Sequence, residues 1–207
     1  MIKNILFDMG GVLIEWRPDK LVARLGYAGA DAKLLLREIF GDAEWVGLDR
    51  GRLSEEEAMA AFRERLPERL HPAIEPCVYW WRDPLWPVPG MAELIAELKG
   101  LGYRIYLLSN ATSALNGYFR RIPGSEHFRG MLVSADWKLL KPQHEIYETF
   151  LSEQKLDPAE CLFLDDYPPN IEGAVRCGMQ GLVFYQDMER LRHELQSLGV
   201  NVKESEA

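Results

Sequence analysis

The fold turns on the opening stretch Met1-Ile-Lys-Asn-Ile-Leu-Phe-Asp-Met-Gly-Gly11. Its apolar run Ile2–Phe7 is short and β-prone, and it stops at Asp8 and two glycines that permit a tight turn. It reads as a buried strand rather than a leader, because the run is too short for a signal peptide and ends on an acid. Similar runs recur far downstream, at Arg104–Ser109, Cys161–Asp165 and Gly181–Tyr185, with a weaker one at Met131–Ser134. Helical patterns lie between them, at Met91–Leu101, Glu145–Gln154, Ile171–Cys177 and Met188–Leu198. In the first, Leu94, Ile95, Leu98 and Leu101 fall on one helical face. Strands alternating with helices predict an α/β fold with a parallel sheet covered on both sides.

The alternation breaks once. The interval from the first strand to Met91 is far longer than an ordinary crossover. It carries its own helical signals: Leu34, Leu35, Ile39 and Phe40 within Asp31–Phe40, and a capping box, Ser54-Glu-Glu-Glu57, opening a helix that runs to Arg65. The proline-rich Asp83–Gly90 closes it. The expectation is a core of residues 1–15 plus 87–207 and an inserted helical subdomain of residues 16–86. The polar tail 202–207 is expected to fray.

Composition excludes several classes. The chain has 207 residues, and 24 Lys+Arg against 32 Asp+Glu give a net charge of −8. That disfavours a nucleic-acid or anionic-membrane surface. No apolar run approaches the ~18 residues of a membrane span. Cys77, Cys161 and Cys177 have neither disulfide-framework nor zinc-site spacing, which points to a reducing, cytoplasmic setting.

Ligands of parallel α/β sheets bind at the carboxyl ends of the strands, and here those ends carry chemistry. The first strand ends in Asp8, the second in Ser109-Asn110, the fourth in Asp165-Asp166; Lys141-Pro142 follows the weak strand. Three carboxylates at one sheet edge call for a divalent cation, and oxygen donors suit Mg²⁺. Ser109 and Lys141 are placed to hold a phosphate, and Asp8 to attack phosphorus.

These segments resemble, in order, the four motifs of the haloacid dehalogenase (HAD) superfamily, phosphatase branch. They are Asp8-Met-Gly-Gly-Val12, Leu108-Ser-Asn-Ala111, Lys141-Pro142 and Leu164-Asp-Asp-Tyr-Pro-Pro-Asn-Ile-Glu-Gly-Ala174. The resemblance implies a Rossmann-like, HAD-like core with an α-helical cap. The implied reaction is Mg²⁺-dependent hydrolysis of a small phosphorylated metabolite through an aspartyl phosphate. It makes Asp8 the nucleophile. Asp8, the Gly10 carbonyl and Asp166 become the metal ligands, with Asp165 behind them, and Ser109, Asn110 and Lys141 hold the phosphoryl oxygens. Asn170 would cap its helix and orient an Asp166 oxygen. Within the superfamily the motifs, with Gly51-Arg-Leu-Ser54 in the cap, are similar to glucose-1-phosphate phosphatases, which implies a sugar phosphate such as a hexose 1-phosphate.

One position departs from the family. Its phosphatases usually carry a second Asp two residues after the nucleophile, as general acid and base; this chain has Gly10. Such catalysis is worth typically ~10²–10⁴-fold. Glu15, near the cap hinge, is a candidate replacement. Two rival readings stay open on Gly10: a metal-independent 2-haloacid dehalogenase, and a metabolite-binding protein that has lost turnover. Trp16, Trp45, Trp80, Trp81 and Trp86 read first as cap core; Trp45 and Arg50 are the candidates for facing substrate. The four histidines show no ligand spacing.

Overall fold

Five strands lie side by side in the order β3-β2-β1-β4-β5, every pairing parallel. They are β1 (Asn4–Phe7), β2 (Arg104–Ser109), β3 (Phe128–Val133), β4 (Cys161–Asp165) and β5 (Gln180–Val183) in a computed structural model. It describes residues 1–203 apart from Asp42 and Pro84. The fraying expected of the tail falls for residues 204–207 outside the described residues.

The central strands are apolar on both faces, as a sheet covered on two sides requires. Ile5, Phe7, Ile105, Leu107, Leu162 and Leu164 join one buried cluster. Their neighbours Leu6, Tyr106, Leu108, Cys161 and Phe163 join another on the opposite face. Helix α6 (Met91–Gly100) supplies the first cluster through Leu94, Ile95 and Leu98, and the one-turn α7 (Leu115–Tyr118) through Leu115 and Tyr118. Leu101, expected on the same face, is 47% exposed, because the helix stops at Gly100 and Leu101 turns out with the C-cap. The second cluster takes Ile146, Tyr147 and Phe150 from α9 (His144–Gln154) and Ile171 and Ala174 from α10 (Pro168–Arg176).

Expected and observed limits coincide at β2 and β4. The edge strand β3 starts at Phe128, earlier than the apolar pattern suggests, since its exposed Arg129 and partly exposed Gly130 dilute that pattern. It ends at Val133 because Ser134 opens the one-turn helix α8 (Ser134–Trp137). Helix α10 begins at Pro168 rather than Ile171, since prolines are tolerated where a first-turn amide needs no partner.

Between β1 and α6 lie α1 (Pro18–Arg24), α2 (Gly29–Leu35), α3 (Ala43–Asp49), α4 (Glu55–Arg65) and α5 (His71–Val78). Helix α2 widens into a π-turn over Leu36–Phe40. These helices bury a core of their own, with Leu21, Leu35, Ile39, Leu48, Phe62 and Ile74 among it. The chain enters and leaves through two paired segments, where Glu15 N donates to Trp86 O at 2.7 Å and Val88 N to Leu13 O at 3.0 Å. Ser54 caps α4 reciprocally with Glu57, as the sequence predicts.

The helical lobe also touches the core at its far tip. Gly51 has φ +65°, and a Cβ there would collide with the carbonyl oxygen of Ala135. Only glycine tolerates both the conformation and the approach. Beside it, Ser134 Oγ donates to the Asp49 carbonyl.

Candidate active site

At the carboxyl ends of β1 and β4 the backbone pairing continues one step further. Asp8 N donates to Leu164 O at 2.9 Å, which sets Asp8 next to Asp165. Lys141 Nζ lies between the two, 2.8 Å from Asp8 Oδ1 and 2.7 Å from Asp165 Oδ2. Its side chain is 1% exposed. Asp165 is buried and fully engaged: Tyr167 N donates to Oδ1 at 2.8 Å and Asn170 Nδ2 to both oxygens at 3.0 Å. Asn170, expected to orient Asp166, therefore braces Asp165 instead.

Asp166 stands on the solvent side. A Cβ at Gly11, whose φ is +76°, would run into its carboxylate, so the second glycine of the turn is what lets Asp166 come this close. Asp8, Asp165 and Asp166 each present an oxygen, all within 4.8 Å of one another.

The Asn110 carboxamide grips the backbone of Lys141 at both ends, Nδ2 donating to Lys141 O at 3.1 Å and Oδ1 accepting from Lys141 N at 2.9 Å. The carboxamide expected to meet phosphoryl oxygens thus holds the residue that carries the ammonium. Ser109 is buried at the end of β2, and among the described residues its hydroxyl has no hydrogen-bond partner. An orphaned buried hydroxyl is costly unless something completes it.

Above these groups is a cavity of about 260 Å³. Asp8, Gly10, Asn110 and Asp166 of the core line its floor, and Trp16, Phe40, Trp45, Trp80, Trp81 and Tyr118 its apolar walls. The rings form a continuous surface: Trp16 lies 5.6 Å from Trp45 and 5.0 Å from Trp80, and Trp81 stacks on Tyr118 at 5.4 Å. Of the two residues expected to face substrate, Trp45 lines the cavity and Arg50 does not. Arg50 turns to Gln143, donating through Nη2 at 3.2 Å, because helix α3 ends one residue before it. That last residue, Asp49, lines the cavity instead, and sequence reasoning passed it over. Glu15 is also displaced from the expected role. It pairs with Lys20 and lines a separate apolar crevice beside Trp86.

Burial dominates the electrostatics. It pushes the Asp8 carboxyl up to about 7 against the pull of Lys141, with Asp165 adding to the rise. It pushes Asp49 to about 7 as well, helped by the charge of Asp8 and opposed by Lys141. Asp166 is raised by burial and by Asp165. For Lys141 burial works against the charge, but Asp165 and Asp8 outweigh it and the ammonium is held above its ordinary value. The site thus gathers more carboxyls than its ammonium offsets, the condition under which a bound cation is favourable.

The chain belongs to the haloacid dehalogenase-like hydrolases, whose family pattern it matches over residues 2–178. It is 27% identical over 186 residues to the sesquiterpene phosphatase astK of Aspergillus oryzae, covering 87% of this chain and 88% of that one. It is 28% identical over 194 residues to the D-ribitol-5-phosphate phosphatase of Bacteroides thetaiotaomicron, covering 87% and 90%. Its fold is similar to that of a HAD family enzyme from the same bacterium solved with magnesium and inorganic phosphate. There the TM-score is 0.66 at 23% identity, with 92% and 99% of the two chains covered. No helix among the described residues is long and apolar enough to cross a membrane. Cys77, Cys161 and Cys177 are free.

Proposed function

We propose that this hydrolase cleaves phosphomonoesters of small metabolites, with Asp8 as nucleophile and Mg²⁺ as cofactor. The observation that carries this reading is Lys141 Nζ pinned between Asp8 and Asp165, at 2.8 and 2.7 Å, beneath a cavity closed by the lobe we take as the cap, residues 16–86. The ammonium aims Asp8 and favours its charged form against the opposing effect of burial. An oxygen of Asp8 attacks phosphorus and the ester P–O bond breaks, leaving the phosphoryl group on Asp8. The unpartnered Ser109 hydroxyl would donate to a phosphoryl oxygen, and Lys141 would balance part of the phosphoryl charge. Asn110 acts through its hold on the Lys141 backbone. Water then attacks phosphorus and releases phosphate and Asp8.

The donor set fits magnesium: oxygens of Asp8 and Asp166 are drawn together, while Asp165 is occupied by Lys141, Asn170 and the Tyr167 amide. Asp8, Asp166 and the Gly10 carbonyl are the residues that would hold the ion. When bound it supplies Lewis-acid stabilisation of phosphoryl charge. A 2-haloacid dehalogenase would have no comparable use for Asp166 beside Asp8.

The aromatic walls support a substrate with a flat or apolar face. A sugar phosphate such as a hexose 1-phosphate presents one when its C–H face stacks on tryptophan. The relatives named above are a sesquiterpene phosphatase and a D-ribitol-5-phosphate phosphatase. The three free cysteines support a cytoplasmic setting.

The test is phosphate release from a panel of sugar, polyol and prenyl phosphates, with and without Mg²⁺, for wild type and Asp8→Asn. Mg²⁺-dependent release that falls at least about a thousandfold in Asp8→Asn supports the reading. Chloride release from a 2-haloacid without metal, or tight binding with no release, would replace it.

A further inference from the structure

Gly10 leaves the reaction without its usual proton donor, yet the fold does not forbid one there. A Cβ at Gly10 would meet nothing nearer than Trp16 Cβ at 3.8 Å, and the backbone is not left-handed. The leaving oxygen departs on the side of phosphorus away from Asp8, into the cavity under the cap, so a substitute must line that cavity. Glu15 lies elsewhere. No histidine lines the cavity among the described residues. Of its ionisable groups, Asp8 is the nucleophile, Asp166 is committed beside it, Tyr167 is 58% exposed, and burial holds the Tyr118 phenol well above its usual range. One carboxyl remains.

The geometry points to Asp49, at the C-terminus of cap helix α3, as the general acid and base of this hydrolase in place of the absent aspartate at position 10. Among the described residues its carboxyl has no hydrogen bond or ion pair, while its backbone is locked: Ser134 Oγ donates to its carbonyl and Gly51 packs on Ala135. The carboxyl is close enough to feel the charges of Asp8 and Lys141, and its own charge acts on Tyr118. Burial and Asp8 favour its protonated form near neutrality, the state an acid needs at the start of the cycle. Asp49 gives its proton to the ester oxygen as the P–O bond breaks, so the product leaves as an alcohol. The resulting carboxylate takes a proton from water, whose oxygen bonds to phosphorus. The bond from phosphorus to Asp8 then breaks, inorganic phosphate leaves, and Asp49 is protonated again. Because Asp49 belongs to the cap, proton transfer is complete only when the tip rests on the core, which ties chemistry to closure.

The inference rests on the phosphatase reading, so the experiment separates the two. Wild type, Asp49→Asn and Asp49→Ser are compared on phenyl phosphates of graded leaving-group acidity and on one alkyl phosphate that wild type accepts. Folding is checked by circular dichroism. For Asp49→Asn, kcat/KM is expected to drop about a hundredfold or more on the alkyl ester and less than about tenfold on p-nitrophenyl phosphate, whose phenolate needs no proton. With p-nitrophenyl phosphate the variants should also show a burst of nitrophenolate, as the phosphoenzyme accumulates without a base. Gly10→Asp added to Asp49→Asn should restore the alkyl ester. Equal losses on every ester, or no loss, would overturn the role of Asp49 while leaving the phosphatase intact. No release by wild type from any ester would overturn both.

Discussion

Lys141 shows how much one side chain holds at this site. It is buried with two acids, and the arrangement survives because each charge has a partner. Lys141→Met would leave Asp8 and Asp165 facing each other without compensation. Breaking a buried pair from one side costs about 3–5 kcal/mol, so the denaturant midpoint should fall accordingly, and adding Asp165→Asn should recover part of the loss. Asp49 has a different consequence. Its carboxyl keeps its proton to about pH 7 in the folded protein but releases it near the ordinary value when unfolded. Between these limits the folded state binds more protons, so stability falls as pH rises. Asp49→Asn removes that slope. In metal-free buffer the gain of the variant over wild type should grow from about pH 4 to about pH 7 and level off above. The carboxyl opens onto the cavity, so the gain is roughly 1 kcal/mol, or about 2–4 °C in Tm, read from melts across that range.

Two local devices at the cap tip belong to the scale of the element. The capping box of α4 is complete, with Glu57 N donating to Ser54 Oγ at 3.2 Å and Ser54 N to Glu57 Oε2 at 2.8 Å. Ser54→Ala should cost about 1 kcal/mol in chemical denaturation and leave KM unchanged. Gly51→Ala acts differently. Its methyl group would meet the Ala135 carbonyl, and its backbone would resist the left-handed conformation, so the tip must lift from the core. Activity should fall about tenfold or more, from loss of both cavity closure and the Asp49 position, while α4 keeps its helicity. The resemblance that singled out Gly51-Arg-Leu-Ser54 therefore marks a docking turn: glycine for the approach, serine for the next helix.

At the scale of the molecule, the core supplies the floor of the cavity and Tyr118 of its wall, and the helical lobe the rest of the walls. The acids of the floor repel one another until a cation joins them, so folding and metal binding should be linked. At about a hundred times its Kd, Mg²⁺ should stabilise the protein by about 2.7 kcal/mol, or roughly 5–10 °C in Tm. A chelator should reverse the shift and Asp166→Ala should abolish it, readouts independent of turnover.

Residues at strand ends were legible in the sequence because a strand ends where its local pattern ends. Asp8, Ser109, Asp165 and Asp166 all come from the places where apolar runs stop, a parallel sheet carries those stops to one edge, and Lys141 reaches it from the loop that follows β3 and α8. The division of labour within the acidic pair was not legible, because it depends on which carboxylate the Lys141 ammonium and the Asn170 amide reach. Nor was the choice between Arg50 and its neighbour Asp49. That is decided by where α3 ends and by how closely Gly51 lies on Ala135, a contact between residues far apart in the chain. The sequence by itself determined the sheet, its loaded edge and an inserted helical lobe, since these follow from local periodicity and chain order. Only the tertiary structure decided which cap groups look down on that edge, because the landing of one lobe on the other is set by shape and close approach rather than by any local pattern.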